Sequence, residues 1–225
     1  MSSIILVLAL FFSLFFILKL NDDNPHKKTI NFVQNLNLIL YGFIILLTYL
    51  ISLELALLSS VYFYGTIQFV FLLTLVLINE KNIKKYFKPS LKLSNLIIAI
   101  SFILLFTTLQ VFLSLKVFNN EFNGLIYENW IVILIFYSLT PAVGEELFFR
   151  GLLYDKLVQI YSVRKTILIT SLLFYFSHLF DKSFWVIISI FPAGLLLGYI
   201  RSKYNNLIYS IVCHIIFNFI IFNYT

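Results

Sequence analysis

Apolar residues stand in long unbroken runs in this chain of 225 residues, as at positions 4–18, 38–53 and 97–106. The chain is 61% apolar and 12% charged, whereas a soluble domain is about half apolar and about a quarter charged. Lipid offers the backbone no hydrogen bonds, so a spanning segment must be a helix or part of a closed barrel. Barrel strands alternate apolar and polar residues, and these runs do not. The sequence therefore predicts an all-α, polytopic integral membrane protein.

Segments of about 17–25 mostly apolar residues can cross a bilayer as helices. Eight such spans are predicted, at 3–20, 36–58, 61–79, 95–116, 129–150, 166–181, 184–200 and 207–223. The weak boundary at Ser59 and Ser60 leaves a count of seven to nine spans open. Because no long linker interrupts the chain, we expect a single transmembrane domain over residues 1–225. The fifth apolar segment continues to about Tyr161, and Pro141 is expected to kink or break it.

The basic residues predict an orientation in the membrane. Of the 16 Lys and Arg residues, 13 fall in the first, third, fifth and seventh predicted loops, two fall on the opposite side, and Arg150 lies within a span. By the positive-inside rule, both chain termini are expected outside the cytoplasm. The basic residues form no patch with interleaved aromatic residues, so nucleic acid is not an expected partner. The single cysteine, Cys213, is expected to be a buried and unreactive thiol.

Titratable side chains inside the predicted spans are costly in hydrocarbon and are therefore candidates for function. They are Glu54, Glu145, Glu146, Arg150, His178 and His214. Glu54 stands alone near the end of its span, where an interfacial role is expected, and we leave it out of the site. Glu146 and Arg150 are four residues apart on one helix face, so the guanidinium can hold Glu146 ionised. Glu145 is then expected to face a cavity.

Two further pairs stand one helical turn apart, Phe174 with His178 and His214 with Asn218. Taken alone, each histidine could be a hydrogen-bonded tie between helices. Together with Glu145 they are typical of an assembled site. A carboxylate beside an imidazole can deprotonate water, and a histidine with an asparagine can donate hydrogen bonds to an oxyanion. The set predicts hydrolysis of an amide bond without a covalent intermediate.

A metal site is the alternative interpretation of the same residues. Glu145, His178 and His214 match a catalytic zinc site in which water is the fourth ligand. Asn218 is a poor zinc ligand, which favours the version that requires no cofactor. The Gly-x-Ser-x-Gly and His-Glu-x-x-His motifs of other hydrolases do not occur in the sequence.

Three motifs in order resemble those of the CPBP intramembrane proteases, the group of the CAAX prenyl endopeptidases and the bacterial Abi proteins. They are Glu-Glu-x-x-x-Arg at Glu145, Glu146 and Arg150, Phe-x-x-x-His at Phe174 and His178, and His-x-x-x-Asn at His214 and Asn218. The resemblance covers a catalytic core of approximately 129–223. It implies a CAAX-protease-like bundle of about eight helices, with a cavity open to the cytoplasm and the membrane.

The resemblance also implies roles for these residues. Those that activate the water or bind the oxyanion are Glu145, His178, His214 and Asn218. Those that support them are Glu146, Arg150 and Phe174. Members of the group are often labelled metalloproteases, although a metal-free glutamate mechanism has been argued for them, so divalent zinc stays an alternative.

We therefore expect an endopeptidase of the bacterial plasma membrane, in contact with lipid, that cleaves a hydrophobic peptide or a membrane-protein segment. Bacterial relatives imply bacteriocin self-immunity or the processing of peptide signals. One alternative is a non-catalytic immunity protein that sequesters a toxin peptide. Another is a transporter with a Glu and His proton relay. Repeated halves are usual in such transporters, and no repeat is evident in this sequence.

Overall fold

The computed structural model describes residues 69–70, 72–74, 76–77, 82–88, 91–117, 131, 133–178 and 184–224. The chain divides into two compact units, Met1–Glu54 and Leu55–Thr225, and all of these residues belong to the second. They are helical and include no strand, which confirms the predicted all-α class. The spans predicted at 3–20 and 36–58, Glu54 among them, lie outside the described residues. The count of eight spans therefore stays a prediction.

Within the described residues, five helices follow a short 3-10 turn at Ile83–Tyr86. Helix α1 is Leu93–Val117, α3 is Val163–Phe176, α4 is Phe184–Tyr204 and α5 is Leu207–Tyr224. Helix α2 is built of four consecutive stretches, which are Ile133–Leu139, Thr140–Glu146, Leu147–Leu153 and Tyr154–Leu157. Helices α1, α4 and α5 correspond to the spans predicted at 95–116, 184–200 and 207–223.

Helix α1 exposes an apolar surface along its length. Its segment Leu93–Leu113 has a mean hydropathy of 2.5, and only 22% of its most apolar window is buried. Large apolar side chains are exposed on it, namely Leu93, Ile97, Ile98, Phe102, Leu104, Leu105, Leu109 and Phe112. Among the described residues this helix is long and apolar enough to cross a membrane, and Leu207–Ile221 of α5 is a shorter apolar helix. An apolar surface of this kind is suited to lipid contact.

Helix α2 changes its winding and does not break at Pro141. The stretches Ile133–Leu139 and Leu147–Leu153 are π-helical, whereas Thr140–Glu146 between them is α-helical. Pro141 lies in the first turn of that α-helical stretch, where its missing N–H is tolerated. The Thr140 hydroxyl donates to the carbonyl oxygen of Ile135 at 2.6 Å. The expected kink or break is thus replaced by a transition from wide to tight turns.

The core of the bundle lies between α1, α4 and α5. Its buried members are Ala99, Ile103, Ala193, Leu197, Ile200, Tyr209, Cys213, Phe217 and Ile221. Cys213 is fully buried, as its position in an apolar run predicts. Helices α4 and α5 are joined through Asn205, which has a positive φ of 48°, a conformation that asparagine tolerates better than most residues.

Two glycines one turn apart let α4 approach α3 closely. A Cβ atom on Gly194 would lie 3.2 Å from Cβ of Ser171 and 3.3 Å from Cδ1 of Phe174. A Cβ atom on Gly198 would lie 3.0 Å from Cγ2 of Ile167. Small residues spaced by four allow membrane helices to pack at short distance. The Gly194–Gly198 spacing therefore determines how near α4 lies to the site described below.

We expect Gly194→Ala to lower the free energy of unfolding by about 1–3 kcal/mol, the usual cost of overpacking. Its new methyl group would also lie 3.4 Å from Nη2 of Arg150, so α4 must move away. Thermal unfolding of the detergent-purified protein measures the effect. Ser101→Thr on α1 adds one carbon at an exposed position and is the matched control. Equal melting temperatures of the two variants would show that this close approach is unimportant.

Candidate active site

The two adjacent carboxylates of α2 are both buried in the helix bundle. Glu145 is 3% exposed and Glu146 is 0% exposed. They end the α-helical stretch Thr140–Glu146, just before the winding widens again at Leu147. Neighbouring residues on a helix point in different directions, so each carboxylate meets different partners.

Glu146 is held by two cationic or donor groups. Its Oε1 atom accepts a hydrogen bond from Nη1 of Arg150 at 2.8 Å and lies 2.9 Å from Nδ1 of His214. The Arg150 side chain is fully buried, and its Nη2 atom donates to the carbonyl oxygen of Gly194 at 3.1 Å. This arrangement connects α2, α4 and α5 through one ion pair. The i,i+4 pair expected from the sequence is present.

Glu145 lies between the two histidines. Its Oε1 atom is 3.6 Å from Nε2 of His178, and its Oε2 atom is 3.6 Å from Nε2 of His214. These distances exceed those of direct hydrogen bonds. Each carboxylate oxygen therefore has a different imidazole nitrogen beside it. At this spacing a water molecule can form hydrogen bonds to the oxygen and to the nitrogen of one such pair.

The partners of the two Nδ1 atoms determine where the imidazole protons lie. Nδ1 of His178 is 2.8 Å from the carbonyl oxygen of Phe174, which can only accept. Nδ1 of His214 is 2.9 Å from the Glu146 carboxylate, which accepts as well because Arg150 pairs with it. Both Nδ1 atoms must therefore carry the proton. In the neutral rings both Nε2 atoms are then acceptors directed toward Glu145.

His178 lies just beyond the end of α3, although the sequence predicts that its span continues to 181. The helix ends at Phe176, and Ser177 and His178 form a turn. The Ser177 hydroxyl donates to the carbonyl oxygen of Phe174 at 2.7 Å, the same oxygen that His178 contacts. These side-chain bonds satisfy a carbonyl at the helix end. The turn also leaves the His178 side chain 17% exposed.

The ring of Phe174 packs among the charged and imidazole groups. Its centroid is 4.7 Å from that of His178 and 5.5 Å from that of His214. The guanidinium carbon of Arg150 lies 4.3 Å from the same ring centroid, within the range of a cation–π interaction. Phe174 is 2% exposed, so it keeps water away from the Arg150 pair and limits rotation of both histidines.

Asn218 follows His214 by one turn of α5, and its amide is directed to α2. Its Nδ2 atom donates to the carbonyl oxygen of Tyr137 at 3.5 Å, a long hydrogen bond. An amide nitrogen has two N–H groups, and this contact uses one of them. The structure thus places Asn218 beside α2, the helix that carries Glu145.

Two residues that contact the site were missed by the sequence analysis. The carbonyl oxygen of Gly194 gave no signal, because any residue carries one. Arg201 was assigned to a cytoplasmic loop, but it lies in the last turn of α4 and is only 4% exposed. It donates hydrogen bonds to the carbonyl oxygen of Arg150 and to the side chains of Asp155 and Asn205.

The donor atoms around Glu145 are the kinds that zinc uses, namely a carboxylate and two imidazole Nε2 atoms, with both Nδ1 atoms anchored. Within the described part of the chain, however, no group of three or more His, Cys, Asp or Glu side chains is placed to hold a metal ion. The present positions of the three side chains therefore do not fit a metal site, and no chemical step is derived through one.

Comparison with known proteins agrees with the geometry. Residues 127–220 match the family described as type II CAAX prenyl endopeptidase, Rce1-like. This segment contains all seven residues of the three motifs, on helices α2, α3 and α5 and the turn after α3. No curated protein and no solved structure matches the chain. Residues 127–220 of the chain are thus similar to the CAAX prenyl endopeptidases, a family of membrane-embedded peptidases.

Proposed function

We propose that this protein is an intramembrane endopeptidase that hydrolyses a peptide bond with a water molecule activated by Glu145 and His178. One observation carries the proposal. Each oxygen of the buried Glu145 carboxylate lies 3.6 Å from the Nε2 atom of a different histidine. A buried carboxylate is costly in a bilayer, and proton transfer gives it a function.

The first step is the activation of water. A water molecule beside Oε1 of Glu145 and Nε2 of His178 donates one proton toward each acceptor. Glu145 takes one proton, and the hydroxide oxygen bonds to the carbonyl carbon of the substrate. His178 orients the water, because its Nδ1 proton is committed to the carbonyl oxygen of Phe174. The Glu145 carboxyl then passes the proton to the leaving nitrogen, so the products are a carboxylic acid and an amine.

The second requirement is stabilisation of the oxyanion. His214 can donate from Nε2 only as an imidazolium, since its Nδ1 proton is bound to Glu146. Asn218 supplies an amide N–H beyond the one that contacts Tyr137. Preorganised donors of this kind contribute about 3–4 kcal/mol each to lowering the barrier.

The substrate is proposed to be a hydrophobic peptide or a membrane-protein segment. His178 is the more exposed of the two histidines, at 17% against 2% for His214, so the scissile bond would approach from its side. The apolar surface of α1 and the similarity of residues 127–220 to the Rce1-like family support a site reached within the membrane. We propose the bacterial plasma membrane as its location, with both termini outside the cytoplasm, and bacteriocin self-immunity or peptide-signal processing as its role.

Replacement of the base tests the proposal directly. We expect Glu145→Gln to lower the rate of peptide cleavage by about 10²–10⁴-fold, because an amide cannot accept the water proton. The change is isosteric, so the melting temperature should stay close to that of the native protein. Cleavage of a quenched-fluorescence library of hydrophobic octapeptides in detergent micelles provides the measurement.

Cys213→Ala is the matched control for that experiment. Cys213 precedes His214 but packs in the apolar cluster between α1, α4 and α5, so its removal should leave cleavage unchanged. Undiminished cleavage by Glu145→Gln would contradict the proposed mechanism. If that variant also kept its biological effect, the alternative of a protein that only sequesters a toxin peptide would be favoured.

Treatment with a chelator distinguishes the metal-free mechanism from the zinc-dependent one. We expect cleavage to persist in 1,10-phenanthroline and in EDTA, because Glu145 and His178 suffice to activate water in the favoured version. The non-chelating 1,7-phenanthroline is the control for inhibition by the compound itself. Loss of activity that added zinc restores would instead establish Glu145, His178 and His214 as ligands of a catalytic ion.

A further inference from the structure

The backbone carbonyl of Arg150 on α2 does not accept the hydrogen bond that a regular α-helix would give it. The N–H of Tyr154 donates to the carbonyl oxygens of Phe149 and Gly151. In a regular α-helix it would donate to the carbonyl oxygen four residues back, which is that of Arg150. The transition from the π-helical stretch Leu147–Leu153 to the α-helical stretch Tyr154–Leu157 thus bypasses this oxygen. A buried carbonyl without a donor is costly.

The side chain of Arg201 supplies the missing donor. Its Nε atom donates to the carbonyl oxygen of Arg150 at 3.0 Å, across 51 residues of sequence. Arg201 comes from the last turn of α4 and is 4% exposed. Single-turn π-helical insertions are frequent at functional sites. Here the insertion presents a carbonyl oxygen outward from α2, and a second helix holds that oxygen.

The remaining atoms of the Arg201 guanidinium are also used. Its Nη1 atom donates to the side-chain oxygen of Asn205 at 2.8 Å, and its Nη2 atom donates to Oδ1 of Asp155 at 3.1 Å. Its guanidinium carbon lies 5.4 Å from the ring centroid of Tyr154. The planar, multiply anchored guanidinium is rigid. It therefore fixes the Arg150 backbone more firmly than a flexible ammonium group would.

We propose that Arg201 is a positioning residue for the reaction, acting on the site through Arg150 and Glu146. The Arg150 carbonyl is fixed by Arg201, and the Arg150 guanidinium binds Glu146 at 2.8 Å. Glu146 in turn holds the Nδ1 proton of His214. A shift of the Arg150 backbone is thus transmitted to the imidazole that faces Glu145. This inference rests on the proposed function, since it assigns Arg201 a part in that same reaction.

The kinetic test compares Arg201→Lys with two other variants. Lysine keeps the charge but cannot donate to all three acceptors at once. A displacement of about 1 Å can cost about 10²-fold in rate, so we expect kcat for the best octapeptide of the library to fall by about 10–100-fold with KM changed less than about twofold. Arg164→Lys, at an exposed position on α3, is the matched control. Asp155→Ala removes one anchor but keeps the bond to Arg150, and it should cost less than about threefold.

A double variant tests the route of the effect. If Arg201 acts through the Arg150–Glu146 pair, Arg201→Lys should add little to the loss already caused by Glu146→Gln. Residues in one hydrogen-bonded network are non-additive in this way, whereas independent residues are additive. Full additivity of the two changes would overturn the proposed route.

A spectroscopic measurement keeps this inference separate from the proposed function. The chain has three histidines, so the imidazole nitrogens of His214 can be followed by NMR in protein labelled with ¹⁵N-histidine. We expect Arg201→Lys to shift the His214 nitrogen signals, whereas Arg164→Lys should leave them in place.

The outcomes of the two readouts differ for the two hypotheses. A native protein that cleaves no peptide, but whose His214 signals respond to Arg201→Lys, would end the proposed function and keep the positioning role. Normal kcat and unchanged His214 signals in Arg201→Lys, with only a lower melting temperature, would reduce Arg201 to a structural residue and overturn the inference.

Discussion

The burial of the Arg150 guanidinium is the constraint on which the rest of the site depends. An arginine stays charged at any physiological pH, so it cannot lower its cost in a bilayer by losing a proton. In this structure Glu146 neutralises it, the Gly194 carbonyl accepts from it, and the ring of Phe174 covers it. Removal of one partner from a buried ion pair typically costs about 3–5 kcal/mol. Each contact comes from a different part of the chain.

These contacts determine how closely the helices pack. The Gly194 carbonyl reaches Nη2 of Arg150 only because α4 lies close to α3, where Gly194 and Gly198 carry no side chain. The π-helical winding of α2 around Arg150 has a similar effect on the backbone, since it presents the Arg150 carbonyl to Arg201. Arg150 is therefore held at both its side chain and its backbone, in both cases by α4.

The chemistry of the site follows from the same ion pair. Because Glu146 is committed to Arg150, it also keeps the Nδ1 proton of His214 in place. Glu145, one residue earlier, points in a different direction and meets the Nε2 atoms of both histidines. Two adjacent and chemically identical side chains thus have different partners, and the proposed function gives them different tasks, one electrostatic and one in proton transfer. The difference arises from their partners and not from their residue type.

The sequence by itself determined the helical class, the burial of Cys213 and the residues of the three motifs. These properties follow from local composition and from the spacing of residues on one helix, such as the Glu146 and Arg150 pair. Only the tertiary structure decided which residues distant in the sequence contact the residues of these motifs. Arg201 looks like a loop cation in the sequence, yet it is buried because the Arg150 carbonyl, 51 residues away, needs a donor. A backbone oxygen has no signature in the sequence. Which side chain donates a hydrogen bond to it is decided only when the helices pack.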